Sequence, residues 1–407
     1  MVKRLNKSEQ KRFERKTIGI WAGMKFTVGV RRVLIMAMAL VYFVSIGINV
    51  FWITTLFAVA SLIALFMEFP TGAVADYDSR KKSLMIGYLL FTFAYFGIFL
   101  VSSFWIIAIF WIISEIAWTF CTGAGGAWVL DNLNVGKEKR GIVRLISKGF
   151  LFQKAGFLVG GLIGFFVIAL NFRLIWLVGG VLYLVLFLLM WKYGEERNFK
   201  PEKAPAGYAK KTFMKAMESY RFLMHSDNRN KRVLLLASFF GTMVWSVFWI
   251  GMPLMFIQTL GLSPENLSGL QGVFAILTLA VPLFIKKNSI DKGFKKYLFW
   301  TVLINALAVI LFGFSNLLIY GIIFLGLATF LSGIMQVVID SASHYYSDSK
   351  IRASLGSIDS INYYIANAIG VFFGGIGFVT IGVPKTLIIV GLLVPIQGLI
   401  YLAMREN

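Results

Sequence analysis

Apolar runs about as long as a hydrocarbon crossing, parted by turns too short to form a domain, constrain this chain more than any other feature. Runs at 50–67 and 84–101 leave only a short charged turn, 68–82, between them. A bilayer core about 30 Å thick needs roughly 20 apolar residues of helix, and it tolerates no unpaired backbone group. Both runs therefore read as spans that enter from one side of a membrane, with a tight loop at its face. The same rule, carried along the chain, gives twelve candidate spans: 21–45, 51–73, 84–102, 105–130, 145–168, 174–192, 232–257, 267–286, 297–314, 316–340, 354–379 and 384–403. The predicted fold class is an all-α membrane protein with twelve transmembrane helices in two pseudo-symmetric six-helix bundles. With 58% hydrophobic and 14% charged residues, a chain of 407 residues has too little polar surface to be a soluble globule.

The turns divide by charge. Those after odd spans carry little more than Arg173 and Lys385, whereas those after even spans hold Arg80 to Lys82, then Lys137, Lys139, Arg140 and Arg144, then Lys286, Lys287, Lys292, Lys295 and Lys296, then Lys350 and Arg352. Basic turns stay inside, so these faces and both termini are expected on the cytoplasmic side of the cytoplasmic (inner) membrane. The net charge of +21 is spread through such clusters and forms no continuous basic face, which excludes nucleic acid as a partner. Cys121 is the single cysteine, so no intrachain disulfide or cysteine metal cluster can form. His225 and His344 fall in loops or at a span end and read as solvated. The first residues are basic and lack a signal-peptide pattern, so 1–20 reads as a cytoplasmic tail.

The long polar segment 193–231, with Pro201 and Pro205, separates the N-terminal bundle at 21–192 from the C-terminal bundle at 232–404. Within it Phe213, Met217, Tyr220 and Met224 recur at helical spacing opposite Lys211, Lys215, Glu218 and Arg221, which predicts an amphipathic helix at the cytoplasmic interface. The halves repeat at an offset of roughly 210–215 residues. Gly47-Ile48-Asn49 answers Gly261-Leu262-Ser263; Asp76 with Arg80 and Lys81 answers Asp291 with Lys295 and Lys296; Asp131 answers Asp340; and Gly160-Gly161 answers Gly374-Gly375.

The turn at 68–82 reads Glu-Phe-Pro-Thr-Gly-Ala-Val-Ala-Asp-Tyr-Asp-Ser-Arg-Lys-Lys. Gly72, Asp76, Arg80 and Lys81 hold the spacing of the loop between the second and third spans of the major facilitator superfamily, which this chain resembles over nearly its whole length. Tyr77 and Ser79 depart from it, standing where the family usually has a basic residue and a glycine. Span four ends in a small-residue segment, 122–133, with Asp131 near its end, similar to many bacterial members. The resemblance implies a secondary transporter of the bacterial or archaeal multidrug and small-solute type. It also implies a cytoplasmic conformational lock of Gly72, Asp76, Arg80, Lys81 and Asp131. Gly156, Gly160, Gly161 and Gly164 of span five resemble the glycine motif of proton-coupled exporters without its proline, and close packing on span eight or eleven explains them equally well.

An ionisable group inside hydrocarbon costs a few kcal/mol unless it meets a partner or a watery cavity. Arg31 and Arg32 in span one, Glu115 in span four, Lys154 in span five and Asp359 in span eleven are such groups, and the resemblance places these spans around a central cavity. Depth counting brings Arg31, Glu115 and Lys154 to one level and predicts that they form a functional centre. Asn362 adds a hydrogen-bonding group, and Trp245, with Trp249 one turn on, adds an aromatic wall. No hydrolase elbow, phosphate loop or metal-ligand spacing is present, so an enzyme is not expected and no cofactor or metal is called for. The expected function is alternating-access, proton-coupled transport of a small organic solute, efflux being slightly favoured and an anionic solute suiting the cations. The expected partners are that solute, protons and the lipid bilayer, with the chain a monomer. The alternative is a membrane receptor or scaffold that keeps the fold without transport.

Overall fold

The computed structural model describes residues 6–133, 139–199, 229–279, 294–345 and 352–405, with single positions at 207, 210, 214, 217, 221 and 281. Among these, eleven helical stretches are long and apolar enough to cross a membrane. The expected eighth span begins as the helix Pro264–Leu279, and its continuation lies outside the described residues, as do Asp291, Phe213, Tyr220 and most of the predicted interfacial helix. The chain is a multi-pass membrane protein.

The first helix, α1 (Lys7–Arg31), starts well before the expected span. Asn6 Oδ1 accepts from the Ser8 and Glu9 amides while Glu9 Oε2 accepts from the Asn6 amide, so the first turn is closed by side chains on both strands of the cap. Phe13 and Thr17 are buried, which gives the basic segment a packed face where a tail was expected. A widened π turn, Arg32–Met36, follows, and α2 (Ala39–Ser45) completes the crossing. The π turn inserts one residue into the helical winding, so side chains after it leave on a different face from those before it.

Next come α3 (Val50–Ala73), α4 (Arg80–Leu100), α5 (Phe104–Cys121), α6 (Ala124–Asn132), α7 (Lys139–Leu170) and α8 (Leu174–Tyr193). Pro70 lies inside α3 and removes one amide donor; the Thr71 hydroxyl turns back to the Met67 carbonyl, and a second π turn, Val74–Asp78, ends the rod. Span four breaks between α5 and α6 because Gly123 takes φ +70°, a conformation that disfavours any side chain. The last helices are α9 (Arg229–Leu254), α10 (Pro264–Leu279), α11 (Phe294–Gly313), α12 (Leu318–Tyr345), α13 (Arg352–Thr380) and α14 (Val383–Leu402).

The chain forms two compact units. Unit 1 comprises 1–36 and 66–211, and unit 2 comprises 37–65 and 212–407. Of the three boundaries, one coincides with the end of the first π turn and one falls inside α3, shortly before Pro70.

In unit 1, α1 and α7 run side by side in the same direction. Gly149 faces the Trp21 ring, Gly156 faces the Phe26 carbonyl and Gly29, and Gly160 faces Val30. The span-five glycines at 156 and 160 thus serve packing on span one. A methyl on either would meet main-chain atoms, which explains why only glycine sits there. Unit 2 repeats the device: Gly370 of α13 faces the Met243 carbonyl and Gly374 faces Val247, both on α9. Gly47 and Gly261, paired by the repeat, both take positive φ, +89° and +69°, at the turns that end their crossings.

Within unit 2 the first half of α3 packs on α13. Asn367 Nδ2 donates to Ser61 Oγ at 3.2 Å and Ser61 Oγ donates to the Tyr364 carbonyl at 3.2 Å. Ala58 packs with Ala368 and Val371, and Gly375 leaves room for Thr54.

Candidate functional site

The deepest polar cluster lies in unit 1. Arg31, at the last position before the π turn, is 6% exposed; its Nε donates to Tyr95 Oη of α4 at 2.8 Å, and its Nη2 lies 3.4 Å from Glu115 Oε1 of α5. The guanidinium also rests over Phe91 and Trp118, with Cζ 4.9 and 5.0 Å from the ring centres. A cation between two π faces, a phenol and a carboxylate is satisfied on every side, which is how a charge persists in a membrane interior. Glu115 keeps 18% exposure, so one end of the cluster remains reachable. Tyr183 stacks on Phe91 at 4.1 Å, and its buried hydroxyl finds no partner among the described residues.

Of the three groups expected at one level, the structure brings Arg31 and Glu115 together and places Lys154 elsewhere. Lys154 Nζ lies over the rings of Phe150 and Phe157 of α7, at 5.1 and 4.8 Å. Arg31 and Arg32 diverge at the π turn: the first is buried and the second exposed. Asp359, within α13, faces Lys231 Nζ of α9 at 3.9 Å. Asn362 Nδ2 donates to the Leu235 carbonyl at 3.1 Å, so both residues tie α13 to α9. Trp245 packs edge-on against Phe248, 5.3 Å between ring centres, and Trp249 is exposed.

A second polar cluster gathers where α3, α4, α6 and α8 end. Arg80 Nη1 pairs with Asp131 Oδ2 and donates to the Ala127 carbonyl at 2.9 Å, while its guanidinium covers Phe199. Asp76 is exposed on the π turn after α3. Gly72 has open space around its α-carbon. Lys81 Nζ reaches the Trp191 carbonyl at 3.4 Å.

Residues 195–199, which the sequence offered only as the start of a linker, strap this cluster. Glu196 accepts from the Ser79 hydroxyl and the Lys81 amide, capping α4 with a carboxylate where the helix dipole is positive. The Glu195 carbonyl accepts from Trp128 Nε1 and Asn132 Nδ2, Asn198 Nδ2 donates to the Asp131 carbonyl, and Arg197 covers Phe13 at 4.3 Å. Tyr95 and this strap are the site elements that sequence reasoning missed. The paired acids after span six were the available signal.

A profile of the Major Facilitator Superfamily matches residues 20–375. The chain belongs to the Major Facilitator Superfamily. Among curated proteins none matches the sequence. Solved structures with the same fold include a POT family transporter in complex with 5-aminolevulinic acid, with TM-score 0.76, 12% identity and 95% of each chain covered. The human organic anion transporter MFSD10 (TETRAN) aligns with TM-score 0.68 and 14% identity over 95% of this chain and 99% of that one. The nucleoside transporter NupG aligns with TM-score 0.71 and 15% identity over 96% and 99%. This superfamily member is accordingly a membrane transporter and not an enzyme.

Proposed function

We propose that the chain is a secondary active transporter that moves a small organic solute across the cytoplasmic membrane by alternating access, coupled to protons, with efflux the favoured direction. In this reading both termini are cytoplasmic and twelve spans form two pseudo-symmetric six-helix bundles, 21–192 and 232–404, joined by a linker at 193–231. The repeated glycine contacts of α1 with α7 and of α9 with α13 support the two-bundle arrangement. Relatives of the same fold are named as transporters of an organic anion and of nucleosides and as a POT family transporter, which supports a small organic solute.

The observation that carries the reading is the Arg31, Tyr95 and Glu115 cluster. An ion pair costs its desolvation inside a membrane protein, and a static scaffold gains nothing from it that packed apolar side chains would not supply. Glu115, the more exposed partner, takes and releases the coupled proton; Arg31 answers by pairing with it or freeing itself. Arg80 with Asp131 holds one conformer of the transporter, and Asp76 and Lys81 belong to the same loop. The test is accumulation in proteoliposomes under an imposed pH gradient, screened over small organic anions, cations and neutral solutes. Glu115→Gln is expected to abolish uphill accumulation while leaving solute exchange intact. Full uphill transport by Glu115→Gln defeats the assignment.

A further inference from the structure

Three cations of unit 1 stand outside the Arg31 cluster. Lys25 of α1 lies with Nζ 5.9 Å from the centre of the Trp21 ring, Lys154 of α7 lies between Phe150 and Phe157, and Arg32 opens the π turn. None of the three belongs to an ion pair among the described residues. Lys25 and Arg32 are seven residues apart on one helical stretch, about two turns, so both stand towards one side of it, and Lys25 Cε is among the atoms nearest Gly149 of α7.

The α1 and α7 packing explains how they meet. Trp21 lies beside Gly149, Phe26 beside Gly156 and Val30 beside Gly160, so Lys154 is level with the stretch next to Lys25. Arg32 follows about 9 Å further along α1, at 1.5 Å per residue. The glycine contacts bring the two helix backbones together, which draws side chains from both sides of the seam into one region. Neighbouring helix positions point about 100° apart, so Arg32 is exposed on a different side of the helix from the buried Arg31.

Like charges held together in a membrane protein repel one another, and the two half-buried lysines also lose part of their hydration. Aromatic faces beside Lys25 and Lys154 offset part of that cost, and only an anion offsets the rest. The guanidinium presents a planar fork that matches the two oxygens of a carboxylate or phosphate, and the ammonium groups supply point charges beside it.

We propose that Lys25, Arg32 and Lys154 form an oxyanion subsite that takes the carboxylate or phosphate of a small organic anion, with Trp21, Phe150 and Phe157 beside its apolar part. The assignment rests on the transporter reading above and names its substrate class as anionic. Its test needs no transport. The full-length protein, purified in lipid-free detergent, is melted with inorganic phosphate and with sodium chloride at equal ionic strength, and separately with phosphatidylglycerol. Phosphate is expected to raise the melting temperature by roughly 2 °C or more beyond chloride. Lys154→Gln and Arg32→Gln are expected to need about tenfold more phosphate for half the rise, the weight of one charge-assisted contact. Without phosphate each should melt at or above the unaltered protein, because a repelling charge is gone. Lys192→Gln, outside the cluster, should respond as the unaltered protein does. Equal melting in phosphate and chloride, midpoints in the two cluster variants within twofold of the original, or a rise with phosphatidylglycerol alone each overturns the subsite. Loss of proton-driven accumulation with the phosphate response intact would count against the transporter reading alone.

Discussion

Removing the charge of Glu115 while keeping its shape isolates what the buried pair contributes. Breaking a fully buried pair leaves an uncompensated charge and costs about 3–5 kcal/mol. Here the contact is long, 3.4 Å, and Glu115 is 18% exposed. Arg31 also keeps the Tyr95 hydroxyl and the Phe91 and Trp118 faces after the change. The expected cost of Glu115→Gln is therefore about 2 kcal/mol, below the usual range. With an unfolding entropy of about 2.1 cal/mol/K per residue, a chain of 407 residues loses about 2 °C of melting temperature for that cost. Arg31→Met in the same chain removes the stranded cation and fills its place with an apolar side chain, so the double variant is expected to melt no lower than Glu115→Gln alone. The assay is a double-mutant cycle of detergent melts followed by intrinsic fluorescence and by monodisperse recovery. If the two losses simply add, the side chains do not interact and the cluster is only a coincidence of position.

Further outcomes follow from packing and capping. Gly156→Ala places a methyl against the Phe26 carbonyl, 2.9 Å from its carbon, and should sharply lower recovery of folded protein, whereas Gly126→Ala, with open space, should raise the melting temperature by about 1 °C. Glu196→Ala removes two acceptors from the start of α4 and should speed amide exchange of its first turn about fivefold in hydrogen–deuterium exchange, the equivalent of about 1 kcal/mol. Asp131→Asn or Arg80→Ala should slow transport without loss of folded protein, measured as initial rate against solute concentration; unchanged rates would remove the lock. Gly375→Ala should destabilise the α3 and α13 contact because its methyl meets the Thr54 side chain, and Thr54→Gly in the same chain should restore most of the melting temperature.

Hydropathy made the spans legible because backbone satisfaction in lipid leaves helices as the only option for such runs. Arg31 and Glu115 were legible for the same reason: charge at depth demands a partner, and counting residues brought the two to one level. Counting could not supply azimuth. Lys154 stands over Phe150 and Phe157, because neighbouring positions of a helix point about 100° apart and depth does not say which way each one points. The strap at 195–199 escaped because most of its bonds join a side chain to a backbone group, which leaves no complementary residue type elsewhere in the chain for the paired acids to point to.

The first half of α3 draws its packing partners from the far end of the chain. Ser61 and Tyr364 are separated by 303 positions, and Asn367 and Gly375 come later still. At a synthesis rate of about 5–20 residues per second, α3 waits roughly 15–60 s between its own emergence and that of the surface it packs on. Throughout that interval the glycine that makes room for Thr54 has not been synthesised and the Ser61 hydroxyl has no long-range partner, so the segment at 50–65 faces lipid or insertion machinery. A ribosome that stalls before α13 therefore leaves the nascent chain with an early helix that no later folding of unit 1 can shelter, and this orphaned surface is what membrane quality control would meet first.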